Sequence, residues 1–194
     1  MVCIQRSALN RCLPIRDRIS LTLLLLQVVE GLSFASEIDA ENPSVVQAYV
    51  AIDKMSRLFI PDSDSLHSFH FPFVIYQTGE KTEVAYRGRI IEPVFSAYIQ
   101  TILNNENILL LPFEDLLDLV WSIQNEYAVL TEDERSFVYQ LLLLLLTFEP
   151  GYLRYDYDPQ NVIPSIHPLH HIDFYYSRNA TCKFGLMRRF SVDN

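Results

Sequence analysis

Hydrophobic positions in the first third of the chain are spaced as in helices. An apolar stretch over residues 19–34 predicts one helix. Apolar residues then recur at helical spacing over residues 45–55, behind an N-cap candidate, Asn42, and Pro43 at the first helical position. This pattern predicts a second helix that ends near Phe59.

Helical spacing returns after residue 92. Pro93 and Pro112 stand where two helices can begin, and Thr131-x-x-Glu134 is a capping box in front of a third. The apolar run of that third helix covers about ten residues, too few to cross a hydrocarbon layer of about 30 Å. We therefore expect a buried helix there and no transmembrane span.

Alternating apolar and polar residues indicate strands in the middle and at the end of the chain. Residues 71–77 and 82–91 flank a turn at 78–81, which predicts a β-hairpin. The same alternation predicts C-terminal strands at residues 152–158, 170–176 and 181–187. The predicted fold class is α+β: several packed helices on a small antiparallel C-terminal sheet, with a mid-chain hairpin.

Composition excludes some nucleotide-binding classes. The chain has 194 residues, 49% of them hydrophobic, and only five glycines, which stand far apart. Neither G-x-G-x-x-G nor G-x-x-x-x-G-K-[ST] occurs, so a dinucleotide fingerprint and a Walker-type phosphate loop are both excluded. One of the five, Gly185, falls within a predicted strand, where it would let another backbone or a ligand come close to Lys183 and His171.

Charge is unevenly distributed along the chain. Residues 1–18 carry a net charge of +3 and the other 176 residues carry −12, which together give −9. We predict a basic, disordered N-terminal extension over 1–18 and a single α+β domain over 19–194. An acidic body repels a phosphate backbone, so we do not expect a nucleic-acid partner.

The three cysteines are scattered and form no C-x-x-C pair, which favours a cytoplasmic location. The alternative is secretion, because residues 1–35 have the features of a signal peptide. They comprise a basic start, an apolar stretch and a small-x-small cleavage site at 33–35. In the C-terminal strands, Cys182 has the parity of an inward-facing core thiol.

Candidate catalytic chemistry is concentrated in the last forty residues. Side chains two positions apart share a face of a strand. If the three C-terminal strands pair, the following polar side chains gather on one face: Arg154, Asp156, His171, Asp173 and Lys183. Such a group suits acid–base chemistry, with a carboxylate orienting an imidazole. The alternative is a solvent-exposed polar face with ordinary cross-strand pairs.

A histidine-rich segment offers candidate metal ligands. Three of the five histidines lie within residues 167–171, and His167, His171 and Asp173 share strand parity. Imidazole and carboxylate can bind a divalent metal, although no H-E-x-x-H spacing occurs. Without such a site we expect no cofactor.

The same residues resemble the ending of a family of uncharacterised bacterial proteins of about this size. That ending has an Arg-x-Asp-x-Asp strand, a His-Pro-x-x-His segment and a Cys-Arg-type strand. Here these are residues 154–158, 167–171 and 182–183. Asp173 stands where the family has a second histidine, and Lys183 where it has arginine. The resemblance implies a bacterial stand-alone domain and no particular reaction.

Two functional hypotheses remain open. The first is a non-catalytic interaction domain with a protein partner, within a multi-component bacterial system such as a defence module. Its basis is the absence of a strict catalytic motif, the acidic body and an aromatic content of 12%. The second is a small hydrolase acting on a phosphoester, using the histidine and aspartates described above or a divalent metal. A concave pocket with His171, Asp173 and Asp156 at its floor would favour the hydrolase.

Overall fold

The computed structural model describes residues 2–13, 15, 17–33, 44–54, 56–79, 81–104, 108–123, 130–177 and 180–189. It contains both helices and antiparallel sheets, so the predicted α+β class is confirmed. The helices are α1 (Arg6–Cys12), α2 (Arg18–Ser33), α3 (Pro93–Leu103), α4 (Phe113–Ser122) and α5 (Glu132–Thr147), with a 3₁₀ turn at Ile108–Leu110. Within this part of the chain, no helix is both long and apolar enough to cross a membrane.

In the described residues, ten strands form two antiparallel sheets. They are β1 (Val2–Gln5), β2 (Val45–Ala51), β3 (Arg57–Asp62), β4 (Ser65–His70), β5 (Val74–Thr78), β6 (Lys81–Tyr86), β7 (Arg89–Ile90), β8 (Leu153–Tyr157), β9 (His170–Ser177) and β10 (Ala180–Gly185). The larger sheet has the order β1-β2-β3-β4-β8-β9-β10, and the smaller has the order β5-β6-β7. The larger sheet thus joins the first 70 residues to the C-terminal strands, which corrects the prediction of a small sheet confined to the C-terminus.

Contacts divide the chain into two compact units. The first comprises residues 1–7, 37–72 and 149–194 and holds the seven-stranded sheet. The second comprises residues 8–36 and 73–148 and holds α2 to α5 with the three-stranded sheet. In the second unit, α2 lies against β6, α3 and α5, and it buries most of its leucines there. The predicted boundary after residue 18 coincides with neither unit's boundary.

The helix predicted over residues 43–59 is wrong. Strands β2 and β3 occupy this segment and pair through Tyr49 and Phe59. The apolar set at Val45, Val46 and Tyr49 fits a helical stripe, but it also suits a strand that is buried on both faces where it begins, since Val45 and Val46 face opposite sides and are both buried. Here Val46 and Ala48 are buried while Tyr49 is exposed. The predicted cap at 42–43 lies outside the described residues.

Residues 2–12, expected to be disordered, form β1 and α1. Cys3 and Ile4 are buried, and β1 pairs with β2. The prediction of disorder followed the net positive charge of this segment and overlooked its apolar residues. The arginines that carry the charge lie outside β1. Of the predicted signal-peptide cleavage site, Ser33 ends α2, and residues 34 and 35 lie outside the described part.

Several predicted elements are confirmed. Helix α2 matches the apolar stretch, and α3 begins at Pro93. The hairpin is β5–β6, with Gly79 at a φ of 64° in its turn. Glu80 of that turn lies outside the described residues. The capping box is present: Thr131 Oγ1 accepts from the Glu134 N–H at 3.3 Å, and Glu134 Oε2 accepts from the Thr131 N–H at 2.8 Å.

Removing this cap should destabilise the protein. We expect Thr131→Ala to lower the free energy of unfolding by about 1 kcal/mol, because the Glu134 N–H loses its acceptor and the hydroxyl no longer donates to Glu134 Oε2. Urea denaturation followed by circular dichroism measures the change. Thr101→Ala, at an exposed position inside α3, is the control and should change stability by less than about 0.5 kcal/mol. Equal losses for the two variants would contradict the capping role.

Candidate functional site: a buried polar group on the large sheet

The register of four strands places the predicted site residues side by side. One row crosses the sheet as His67, Arg154, Asp173 and Lys183, each directly opposite the next. The neighbouring row is Ser65, Asp156, His171 and Gly185. Directly opposite residues in an antiparallel pair share a face, so all five predicted catalytic residues lie together.

The carboxylate of Asp173 is at the centre of this group. It is only 4% exposed. Arg154 Nη2 donates to its Oδ2 at 2.8 Å, and Lys183 Nζ lies 3.0 Å from Oδ2 and 2.9 Å from Oδ1. Two cations therefore compensate a charge that would be costly to bury alone.

Asp156 is the second carboxylate of the group. Its Oδ2 accepts from Arg154 Nε at 2.8 Å, and its Oδ1 accepts from Ser65 Oγ at 2.8 Å. Burial alone would lower the pKa of Arg154, but the negative charges of Asp156 and Asp173 outweigh it and raise the pKa. The guanidinium is thus a permanent cation that joins the two acids.

The orientation of His171 is set by a backbone carbonyl. The ring is buried, and its Nδ1 lies 2.9 Å from the Pro168 carbonyl oxygen. A carbonyl only accepts, so Nδ1 carries the proton and the neutral ring has its lone pair on Nε2. Nε2 faces Asp156 Oδ2 at 3.4 Å and accepts from Lys183 Nζ at 3.2 Å.

Gly185 makes room for the loop that carries Pro168. A Cβ atom at position 185 would lie 2.8 Å from Pro168 Cγ and 3.1 Å from its Cβ. Such distances are too short for packed carbon atoms, so any side chain here would displace the proline. Gly185 thus admits the side chain of Pro168, rather than the backbone or ligand expected there, and the same residue supplies the carbonyl that orients His171.

The two faces of the sheet are the reverse of the expected ones. His171 is 1% exposed, whereas Cys182 is exposed and Phe184 is 55% exposed. The predictions of a solvent-exposed polar face and of an inward-facing Cys182 are therefore wrong. Parity shows which side chains share a face, but it does not show which face is covered.

Among the described residues, the ligand atoms of Asp156, His171 and Asp173 all lie within 4.8 Å of one another, a grouping suited to a metal ion. His167, predicted as a ligand with His171 and Asp173, is not part of this group. Its ring packs edge-on against that of His171, with centroids 5.7 Å apart. His167 instead lines a shallow pocket with Asp158 and Asn161.

His67 also belongs to this face, which sequence spacing could not show because 85 residues separate it from its partner Tyr152. It is 3% exposed, and its Nδ1 lies 2.9 Å from the Tyr152 hydroxyl oxygen. Burial lowers the pKa of His67 to about 4, and the positive charge of Arg154 acts in the same direction.

Comparison with known proteins adds no further assignment. No family model, no curated protein and no solved structure matches this chain. The resemblance of the C-terminal segment to a bacterial family stays a prediction.

Filling the space at Gly185 should disturb the site. We expect Gly185→Ala to lower the free energy of unfolding by about 1–3 kcal/mol, because the new methyl group overlaps Pro168. The nitrogen chemical shifts of His171 should change as Nδ1 loses the Pro168 carbonyl. Urea denaturation and nitrogen NMR measure the two effects.

Pro168→Gly provides the matched control for this substitution. It removes both atoms that an added methyl would meet, so Gly185→Ala should cost clearly less in that background. The same loss in both backgrounds would rule out steric overlap as the cause.

Acid should weaken the fold through His67. Its pKa is depressed from 6.5 to about 4 in the folded chain, so the unfolded chain takes up a proton first as the pH falls. Stability is therefore lost between about pH 6.5 and pH 4, by about 3 kcal/mol for this group. Urea denaturation across this range measures the slope. His67→Asn should reduce the slope. An unchanged slope in His67→Asn would contradict the assignment.

Proposed function

We propose that the protein is a non-catalytic interaction domain whose protein partner binds the outer face and free edge of the seven-stranded sheet. The observation that carries the proposal is a partly exposed apolar strip on β8, β9 and β10. The strip consists of Tyr155, Ile172, Phe174 and Phe184. Its first three side chains are half-buried, and Phe184 is 55% exposed.

The strip is contiguous across three strands. Tyr155, Ile172 and Phe184 are directly opposite one another, and the rings of Phe174 and Phe184 meet edge-on at a centroid distance of 5.1 Å. Contiguous apolar surface rimmed by polar residues is typical of protein–protein contact sites. Aromatic side chains supply much of the binding energy at such sites.

The strip ends at an edge of the sheet. Strand β10 is last in the strand order, so one side of its backbone is available for pairing in the described structure. An extended segment of a partner can add there as a further strand, with its backbone pairing to β10 and its side chains covering Phe184. Backbone pairing at the edge and apolar contact with the strip are together sufficient to bind a partner, and neither requires a catalytic reaction.

The buried polar group supports this function better than the alternative hydrolase. A phosphoester needs a free cation and an accessible base, but Arg154 and Lys183 both hold Asp173, and the His171 side chain is 2% exposed. The pocket beside His167 is lined by other residues, Asp158 and Asn161 among them. The hydrolase hypothesis retains one supporting observation, the proximity of Asp156, His171 and Asp173.

The broader expectations belong to this proposal as well. A cytoplasmic location and a place in a multi-component bacterial system, such as a defence module, would both be tested by the identity of the captured partner. The acidic charge of −9 favours a partner with a basic surface around its apolar contact.

Differential capture from the native host tests the proposal. We expect Phe184→Asp to reduce capture of a specific protein by about tenfold, because a charge would be buried against the partner's apolar surface. Mass spectrometry of proteins bound to the tagged full-length chain measures the change, and circular dichroism verifies folding.

Leu110→Asp is the matched control, since Leu110 is 82% exposed on the 3₁₀ turn of the other unit. It should capture the same protein as the unmodified chain. If Phe184→Asp captures equal amounts, or if the unmodified chain captures nothing above background, the proposed function is overturned.

A further inference from the structure

Three polar atoms converge in the buried group around the ammonium of Lys183, and a carboxylate oxygen of Asp156 lies beside one of them. Its Nζ lies 3.2 Å from His171 Nε2, 2.9 Å from Asp173 Oδ1 and 3.0 Å from Asp173 Oδ2. Nε2 in turn lies 3.4 Å from Asp156 Oδ2 and 4.0 Å from Asp173 Oδ1. A single cation is thus surrounded by one imidazole nitrogen and carboxylate oxygens.

The shortest separation between the candidate ligand atoms suits a small divalent ion, and Asp173 would move closer to complete the site. Two ligand atoms each about 2.1 Å from a tetrahedrally coordinated ion lie about 3.4 Å apart. The distance from His171 Nε2 to Asp156 Oδ2 has this value, 3.4 Å. One imidazole and two carboxylates are also ligands that Zn²⁺ and Mn²⁺ accept.

The imidazole is already oriented as in a metal ligand. Nδ1 of His171 donates to the Pro168 carbonyl oxygen at 2.9 Å, so the neutral ring directs its Nε2 lone pair into the group. Metal-bound histidines usually donate their second N–H to a carbonyl or carboxylate in this way. The loop that Gly185 admits therefore holds the ring ready for a cation at Nε2.

A second, independent sign comes from Asp173. Its Oδ1 atom is buried and accepts no hydrogen bond of suitable geometry from any described residue, although Lys183 Nζ is 2.9 Å away. Buried polar oxygens are nearly always satisfied. This oxygen is oriented toward the group, where an ion would complete its coordination.

Charge explains why the lysine and a metal ion exclude each other. The two aspartates are balanced by Arg154 and Lys183, so the group has no net charge while His171 is neutral. A divalent ion added beside the ammonium would leave a net charge of +2 in a buried place, which is unfavourable. Lys183 is on the edge strand and its side chain is 26% exposed, so the ammonium can move into water.

We infer that Asp156, His171 and Asp173 form a divalent-cation site. In this structure the Lys183 ammonium occupies the place of the ion, so a metal ion binds only when this lysine moves away. This inference is independent of the proposed partner, because the site and the apolar strip lie on opposite faces of the sheet.

Calorimetric titration of the full-length chain with Mn²⁺ tests the inference. We expect Lys183→Met, which keeps most of the apolar stem, to bind Mn²⁺ more tightly than the unmodified chain by about tenfold or more, since the competing cation is gone. The gain should disappear in Lys183→Met/His171→Ala. Lys81→Met, at an exposed lysine on β6, should bind as the unmodified chain does.

Two results would overturn the inference: Lys183→Met binding Mn²⁺ no more tightly than the unmodified chain, or a gain that survives His171→Ala. If Lys183→Met does not fold, Lys183→Gln, which can still hydrogen-bond Asp173, replaces it with the same expected gain. A further test uses the unmodified chain and therefore does not depend on the folding of a variant. Where calorimetry shows Mn²⁺ bound, chemical acetylation of Lys183 should become faster while that of exposed Lys54 does not. An unchanged rate at Lys183 would also overturn the exchange.

Discussion

The buried carboxylate of Asp173 is the constraint on which the C-terminal half of the large sheet depends. A carboxylate removed from water is costly unless cations and hydrogen-bond donors meet it at close range. Arg154 on one neighbouring strand and Lys183 on the other donate to its Oδ2 at 2.8 Å and 3.0 Å. A slip of one residue in either pairing would turn a charge to the opposite face and leave Asp173 uncompensated. The ion pairs therefore specify the register of β8, β9 and β10.

That register in turn places the other parts of the site. Once Asp173 is opposite Lys183, His171 must be opposite Gly185. In an antiparallel pair, a step of two residues back along one strand is matched by a step of two residues forward along the other. Only glycine at that position lets Pro168 lie against β10 and present its carbonyl to the imidazole. The orientation of one histidine thus follows from a charge pair two residues away and from a missing side chain on the next strand.

The extent of successful prediction follows the range of the interactions involved. Local signals sufficed for the capping box at Thr131, for the start of α3 at Pro93 and for the alternation that gathers Arg154, His171 and Lys183 on one face. The predictions were wrong where contacts with segments distant in sequence determine the structure. The stripe at Val45 fits a helix or a strand until β1 and β3 pair with it. Likewise, neither the burial of the polar face nor the pairing of β4 with β8, which brings His67 to Arg154, leaves a trace in local spacing.

The inverted burial of the two faces links the fold to the proposed function. Replacing a buried ion-pair group with apolar residues of similar volume is often neutral or stabilising, so the charges at Asp173 do not by themselves make the fold more stable. What they exclude is the alternative in which the apolar face, with Phe174 and Phe184, turns inward and the polar face turns to water. By hydrophobic burial alone that alternative would be favoured, since it covers the aromatic side chains. The observed arrangement instead leaves Phe184 exposed at a sheet edge. An exposed apolar edge strand promotes aggregation unless another surface covers it, which is the physical reason for proposing a partner at this edge.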